Sequence, residues 1–341
     1  MTECSVLVAG VGGASLGTEI LKCLRDAGGY RVFGCDISAI AFGHYQGDCE
    51  KTFVVDRATY VDEVLCHCEE LGIRAIIPGG EEPLQLLSDA ASTLTARKVL
   101  LISNAPNVVA LCTDKARLFD RLTELGIPVP WSVEFDSSDS VADVSLPCVV
   151  KPATGSGGSR CTFLASTAGE VSMYVDHLLA VGCRPVVQEY VPETEGEFTV
   201  GVLTLPDGKL VCSVAMRRLF HTQLSVSARS EFGLISSGYS QGLIDDFPVV
   251  RAQAERIAGA IGSIGPLNIQ GRLSNGRFLP FEINPRFSAS TYLRALAGFN
   301  EVDVYLQWVL DEVPPAPVEL RYGYYLRSLT EVHIPKGTVT R

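Results

Sequence analysis

With 341 residues, 28 Lys plus Arg against 39 Asp plus Glu and a net charge of −11, the chain has the length of two or three domains with substantial cores. That charge excludes nonspecific nucleic-acid binding, which draws its affinity from Lys and Arg neutralising phosphates. No apolar run reaches about twenty residues and no basic leader precedes the first apolar stretch, so no membrane association and a cytoplasmic protein are expected.

The alternation of short apolar runs with amphipathic stretches predicts a parallel α/β sheet at the start of the chain. Ser5 to Gly10 reads as a buried strand, Gly10 to Gly17 as a glycine-rich turn, and Leu16 to Ala27 as a helix. Strand, turn and helix then repeat: Arg31 to Asp36, Phe53 to Val55, Val61 to Leu71, Ala75 to Pro78, Pro83 to Leu94 and Val99 to Ile102. This Rossmann-like unit is expected to span 1–110. Gly10-Val11-Gly12-Gly13-Ala14-Ser15-Leu16-Gly17, with Asp36 ending the next strand, approximates a dinucleotide fingerprint. Ser15 stands where that fingerprint needs its third glycine. The favoured alternative is a substrate site against Gly12 and Glu81, because ligands of open α/β sheets collect at the carboxyl ends of the strands. The 11 cysteines are scattered with no Cys-x-x-Cys. Cys66-His67-Cys68 falls in a predicted helix, where neighbours two apart do not share a face, so reduced thiols are expected rather than a metal site.

Further along, the apolar strand Pro147 to Pro152 carries Lys151. Ala153-Thr154-Gly155-Ser156-Gly157-Gly158-Ser159-Arg160 follows at once. Glycines let such a loop turn its N–H groups inward around an anion, and hydroxyls add donors, so this is a phosphate clamp candidate; a plain hairpin tip is the alternative. It is not the P-loop, whose lysine follows its glycines. Pro185 to Val191 is another apolar strand that runs into a connecting segment, with Glu197 beyond it. In Phe281-Glu282-Ile283-Asn284-Pro285-Arg286, an extended strand would send Glu282, Asn284 and Arg286 to one side. Two oxygen donors beside a guanidinium suit a Mg²⁺-bound polyphosphate, whose cation takes one or two protein carboxylates and leaves its other positions to water and phosphate. Pro314 to Pro317 breaks the chain after a predicted helix from about Thr291 to Leu310, and Tyr322 to Val332 reads as a returning strand.

The order of these pieces, Thr113-Asp114-Lys115, Leu125 to Pro130, Val150-Lys151-Pro152 with its loop, Gln188 to Val191, Glu197, Gln270 and Glu282-x-Asn284-x-Arg286, resembles the ATP-grasp superfamily over roughly Ser5 to Leu310. The likeness is to the group around the carbamoyl phosphate synthase large subunit and the pyrrolysine-pathway ligase. It implies an α/β Rossmann-like domain followed by two α+β subdomains that clasp ATP, a lid-bearing one over 111–188 and one over 189–341 with the metal site. It further implies that Lys115 and Lys151 contact phosphates and that Gly155, Ser156, Gly157, Gly158 and Ser159 close over them. Glu189, Tyr190 and Val191 would bind adenine, and Glu197 the ribose. Gln270, Glu282 and Asn284 would hold one or two Mg²⁺, with Mn²⁺ an alternative, and Arg286 would stabilise the transferred phosphoryl group.

Many members carry an acid where Gln270 stands, whereas carbamoyl phosphate synthase-like members carry a glutamine as this chain does, and a neutral oxygen there makes occupancy of a second cation site depend on the nucleotide. The polar segment from Ala215 to Gly238 resembles the Arg-rich border of the acceptor pocket in relatives, which makes Arg217, Arg218, Arg229, Ser288, Ser290 and Arg294 candidates for substrate contact. The resemblance implies an ATP-dependent carboxylate–amine ligase that works through an acyl phosphate on a small-molecule acid and amine, with a homodimer compatible. The alternative is a non-catalytic or subunit-type ATP-binding protein of a larger synthase.

Overall fold

A computed structural model describes residues 4–13, 16–138, 144–155, 160–336 and 338–339. Short apolar segments build the first sheet: β1 (Cys4–Ala9), β2 (Tyr30–Asp36), β3 (Lys51–Val54), β4 (Ala75–Pro78) and β5 (Leu100–Leu101), in the order β3-β2-β1-β4-β5. All four pairings are parallel. The connecting helices are α1 (Leu16–Ala27), α2 (Tyr60–Leu71), α3 (Glu81–Asp89) and α4 (Ala91–Ala96). The helix expected over Pro83 to Leu94 is therefore two helices that meet at Ala90. The glycine-rich turn is explained by packing. A Cβ at Gly17 or at Gly79 would lie 1.9 Å from the Gly10 carbonyl oxygen, so α1 and the end of β4 close on β1 only because neither has a side chain.

Next come α5 (Pro106–Thr113), α6 (Lys115–Glu124), β6 (Ser132–Glu134), β7 (Cys148–Pro152), β8 (Phe163–Ala165), α7 (Ala168–Ala180) and β9 (Pro185–Glu189). The strands form an antiparallel sheet in the order β6-β9-β7-β8. Helix α7 covers it with Val171, Val175 and Leu178. It starts in a capping box, where the Thr167 hydroxyl accepts from the Glu170 N–H and the Glu170 carboxylate accepts from the Thr167 N–H.

The largest sheet is antiparallel. It is built from β10 (Glu197–Thr204), β11 (Leu210–Arg218), β14 (Gly242–Ile244), β15 (Pro266–Ser274), β16 (Arg277–Asn284) and β17 (Gly323–Tyr325), in the order β16-β15-β10-β11-β14-β17. The hairpin β12 (Val226–Ser230) and β13 (Gly233–Ser236) stands apart from it, and α8 (Pro248–Ala260) covers one face. Along β10 the period-2 alternation divides the residues. Phe198, Val200 and Val202 join the core under α5, α6 and α8, leaving Glu197, Thr199 and Gly201 for the opposite face. On that opposite side, α1 of the first domain shares one core with Leu203, Met216 and the helices α9 (Thr291–Leu296) and α10 (Glu301–Asp311). The single helix expected over 291–310 is interrupted at Gly298, whose φ of 107 no helix accommodates. Of the strand expected over 322–332, only the three residues of β17 pair. Beyond it, Arg327 returns to the first domain: its guanidinium meets Glu19 of α1 at 3.0 Å and donates to the Ala289 carbonyl, while its N–H donates to the Gln241 side-chain oxygen. All the cysteines are free, and no helix of the described residues is long and apolar enough to cross a membrane.

Gly201 lies against the guanidinium of Arg294, and a Cβ there would sit 2.5 Å from its Nε and Cζ. That guanidinium cannot swing aside, because Glu301, Ser288 and Ser290 hold it. Gly201→Ala is expected to destabilise the protein by about 1–3 kcal/mol in chemical denaturation. Gly259→Ala, on an exposed position of α8 with nothing within 4 Å, is expected to stabilise it by about 0.5–1 kcal/mol. A neutral result at Gly201 would mean that the Arg294 cage is loose.

Candidate functional site

Strands β15 and β16 pair so that Asn268 lies opposite Asn284 and Gln270 opposite Glu282. The alternation read from the sequence thus places four oxygen-bearing side chains on one face. Thr199 of the next strand pairs with Gln270 and donates its hydroxyl to the Asn268 side-chain oxygen at 2.9 Å. Gln270 points its Nε2 at Glu282 Oε2 (3.1 Å), and its Oε1 accepts from Arg218 at 3.3 Å. Just past the strand, Arg286 donates to the Phe287 carbonyl at 2.8 Å and makes longer contacts of 3.3 and 3.4 Å to Asn284 Oδ1 and Glu81 Oε1. Its Nε is buried without a partner.

Lys151 of β7 reaches across from the smaller sheet. Its Nζ donates to Gln188 Oε1 at 2.8 Å and to the carbonyl of Phe281, the residue before Glu282, at 2.9 Å. The side chain is almost wholly buried. Burial, with the Lys115 charge nearby, pushes its ammonium down to about 7 against the opposing pull of Glu282. Lys115 opens α6, whose Asp114 cap accepts from the Arg117 N–H, and the Lys115 N–H donates to Ala153 O at the root of the glycine loop. Gly155 is described, whereas Ser156, Gly157, Gly158 and Ser159 lie outside the described residues.

Both lysines line a slot that is closed by Val149, Tyr190, Val191, Ile235 and Phe281 and includes Glu189 and Glu282. The flat apolar walls and nearby backbone groups of the 189–191 segment suit a planar heterocycle. Tyr190 is fixed at this place: its hydroxyl accepts from the Leu234 N–H at 2.8 Å and bonds Glu193 at 2.6 Å. It passes so close to Gly233 that a Cβ there would lie 2.1 Å from the hydroxyl oxygen. The Glu189 carboxylate accepts from the Trp131 N–H.

Glu197 departs from its expected ribose-facing place. It is fully buried, with Oε1 accepting from Arg218 at 3.0 Å and Oε2 from Arg272 at 2.9 Å. Sequence spacing missed Arg272, which also donates to the carbonyls of Val191 and Leu234 and lies over the Tyr190 ring. Arg218 likewise is no free substrate arginine; besides Glu197 and Gln270 it donates to the Ser237 and Tyr239 carbonyls. Arg294, also expected at substrate, is buried under the loop after β16 and paired with Glu301 at 2.7 Å. Arg217 and Arg229 line a separate recess beside Phe220 and His221.

A second cavity of about 480 Å³ opens between the first sheet and the face that carries Glu282 and Asn284, lined by Glu81, Tyr239, Glu282, Asn284, Arg286 and the Ser288 to Ser290 loop. Glu282 belongs to both cavities. Gly12 lies in a neighbouring recess with Asp36, Arg57 and Glu82, which shares Gly79 and Gly80 with the second cavity. There Asp36 accepts from the Val11 and Ser38 N–H groups, so its carboxylate braces its own turn rather than standing free for a ribose.

Residues 184–332 match the family model described as ATP-grasp in the biosynthetic pathway with Ter operon. The carbamoyl phosphate synthase large chain of Methanoregula boonei is 27% identical over 232 residues, 64% of this chain and 21% of that protein. The chain thus spans about a fifth of that relative's length. Among solved structures, L-amino acid ligase from Bacillus licheniformis superposes with a TM-score of 0.70 at 16% identity, over 92% of this chain and 76% of that one. Biotin carboxylase from Campylobacter jejuni in complex with an ATP analogue also gives 0.70, at 14% identity, over 93% and 73%. The antiparallel clasp around the slot, the family match and these superpositions agree: the chain carries an ATP-grasp domain, preceded by a parallel α/β domain.

Proposed function

We propose that the chain is an ATP-dependent carboxylate–amine ligase that forms an amide through an acyl phosphate and releases ADP and phosphate. One observation carries the reading: Glu282 is a shared wall of the apolar slot and of the polar cavity. A nucleotide with its base in the slot would run its phosphates past Lys115 and Lys151 to the point where the cavity begins. An acceptor in the cavity would meet the terminal phosphate there. Glu282 and Asn284 offer hard oxygens at that junction, which fits a Mg²⁺ or Mn²⁺ that neutralises charge on the transferring phosphoryl group when bound.

The chain's own residues then do the following. The two lysines position and neutralise the phosphates, and Arg286, with its unpartnered Nε and two long contacts, has donors to turn to the phosphoryl oxygens. A carboxylate oxygen of the acceptor attacks the terminal phosphorus, the bridging P–O bond breaks, and ADP leaves. The amine nitrogen next attacks the acyl carbon, the C–O bond to phosphate breaks, and the amine proton leaves with the phosphate. Glu81 pairs with Arg286 at 3.4 Å on the cavity wall, and its carboxylate would hold the cationic form of the amine until that form loses a proton to solvent and can attack. Small-molecule substrates and a cytoplasmic setting accompany this reading.

With the cognate acid, hydroxylamine is expected to trap a hydroxamate as ADP accumulates; AMP and pyrophosphate would instead mean adenylation. Glu282→Gln keeps the shape of the side chain and removes a carboxylate worth several kcal/mol to charge neutralisation in the transition state. Its kcat should fall by about a hundredfold or more with an unchanged melting temperature, and a loss under about tenfold would remove Glu282 from the metal role. Lys151 gives a third test. With a pKa of about 7 in the free protein, it is mostly neutral at pH 8, and a phosphate beside it raises that pKa. Binding of a Mg²⁺-loaded ATP analogue should therefore take up about one proton at pH 8 and little at pH 6. Calorimetry in buffers of different ionisation enthalpy measures this, and uptake at pH 8 that survives Lys151→Met would assign the proton elsewhere.

A further inference from the structure

The opposed pair Gln270 and Glu282 is the natural place for a cation held between two side-chain oxygens. In this chain the pair is joined differently: the amide nitrogen of Gln270 faces Glu282 at 3.1 Å and its oxygen faces Arg218 at 3.3 Å. The two neighbours fix that orientation. Turning the amide over would set its NH₂ against a guanidinium and its oxygen against a carboxylate. Arg218 cannot give way, since its side chain is fully buried and bonded to Glu197 and to the Ser237 and Tyr239 carbonyls. Nor can it shed its charge, because a guanidinium stays protonated in proteins. The charge is close enough to Glu282 for the two to attract. Asn268, the other amide on this face, already accepts from the Thr199 hydroxyl at 2.9 Å, which leaves Glu282 and the amide oxygen of Asn284 as the donors.

We infer that this site uses one divalent cation, held by Glu282 and Asn284, with the Arg218 guanidinium standing in for a second and reserving the oxygen of Gln270. Gln270 is then a positioning residue that steadies Glu282 by donating to it. The inference rests on the ATP-dependent reading and replaces the sequence expectation of Gln270 as a metal ligand. A dication brought between Gln270 and Glu282 would meet an N–H instead of an oxygen and would be repelled by a fixed positive charge.

Mn²⁺ titration of the full chain followed by electron paramagnetic resonance, with protein in excess over a nonhydrolysable ATP analogue, counts ions directly. One Mn²⁺ per bound nucleotide is expected. Two per nucleotide in the parent protein would overturn the inference and leave the ATP reading standing. No nucleotide-dependent uptake would remove that reading and the inference with it. Arg218→Gln, which frees the Gln270 oxygen, should raise the count to two, and a count that stays at one would deny Arg218 this role. Gln270→Leu keeps Arg218 in place and guards against an Arg218 variant that fails to fold. It should bind the one Mn²⁺ within about threefold of parent affinity, whereas Glu282→Gln should lose at least about tenfold; a tenfold loss in Gln270→Leu would make Gln270 a ligand after all.

Discussion

A carboxylate with no solvent exposure sits at the centre of the ATP-grasp domain, and the walls of both cavities are tied to it. Glu197 accepts from Arg218 and Arg272, and each guanidinium reaches onward to backbone carbonyls. Arg272 takes those of Val191 and Leu234 and so joins the segment after β9 to the hairpin that closes the slot. Arg218 takes those of Ser237 and Tyr239, which border the polar cavity. Burying three charges is expensive unless every donor and acceptor is matched, and removal of one member of such a set commonly costs about 3–5 kcal/mol. The carbonyls supply most of that matching. They also turn an ion cluster into a brace for irregular segments that no strand ladder holds.

The same geometry explains which parts of the site could be read from the sequence. A strand has a fixed period of two, so Glu282 and Asn284 had to share a face, and register then brought Gln270 opposite Glu282. Lys151 was legible because it ends an apolar strand just before a glycine run. Glu197 was not. Its partners lie 21 and 75 residues away on other strands, and nothing in the local pattern distinguishes a carboxylate that faces a ribose from one that is capped by two arginines. Arg294 was misread for the same reason: its partner Glu301 is on the next helix, beyond the break at Gly298 that split the expected long helix. Arg272 carried a weak signal, an arginine next to a glycine in a strand that also carries Leu267, Ile269 and Leu273, which implies a buried counter-charge on a neighbouring strand.

In the first domain, the glycine-rich turn reads from the sequence as one wall of a substrate cleft, and the structure adds a packing cause for Gly17. Gly17 and Gly79 converge on one carbonyl oxygen, and Asp36 satisfies two N–H groups of its own and the neighbouring turn. A motif and a packing solution can share the same letters, because both need a backbone approach closer than any Cβ permits. Gly17 therefore marks the alignment of α1 against β1 and β4. The recess at the turn adjoins the cavity that Glu81 and Arg286 border, with Gly79 and Gly80 as their common wall.

The strap at Arg327 has a consequence for the order in which the molecule can assemble. Its partner Glu19 lies on the first helix, 308 positions earlier, while its other contacts, the Ala289 carbonyl and the Gln241 side chain, belong to the loop after β16 and the segment just before β14. During synthesis the parallel sheet can form and cover its helices long before residue 327 leaves the ribosome. Glu19 must wait while the 308 positions up to Arg327 are made, with Lys22 as its near neighbour. The Arg327 contacts add to the core that α1 shares with α9 and α10, so the polar cavity reaches its final shape only once residue 327 has folded back onto α1.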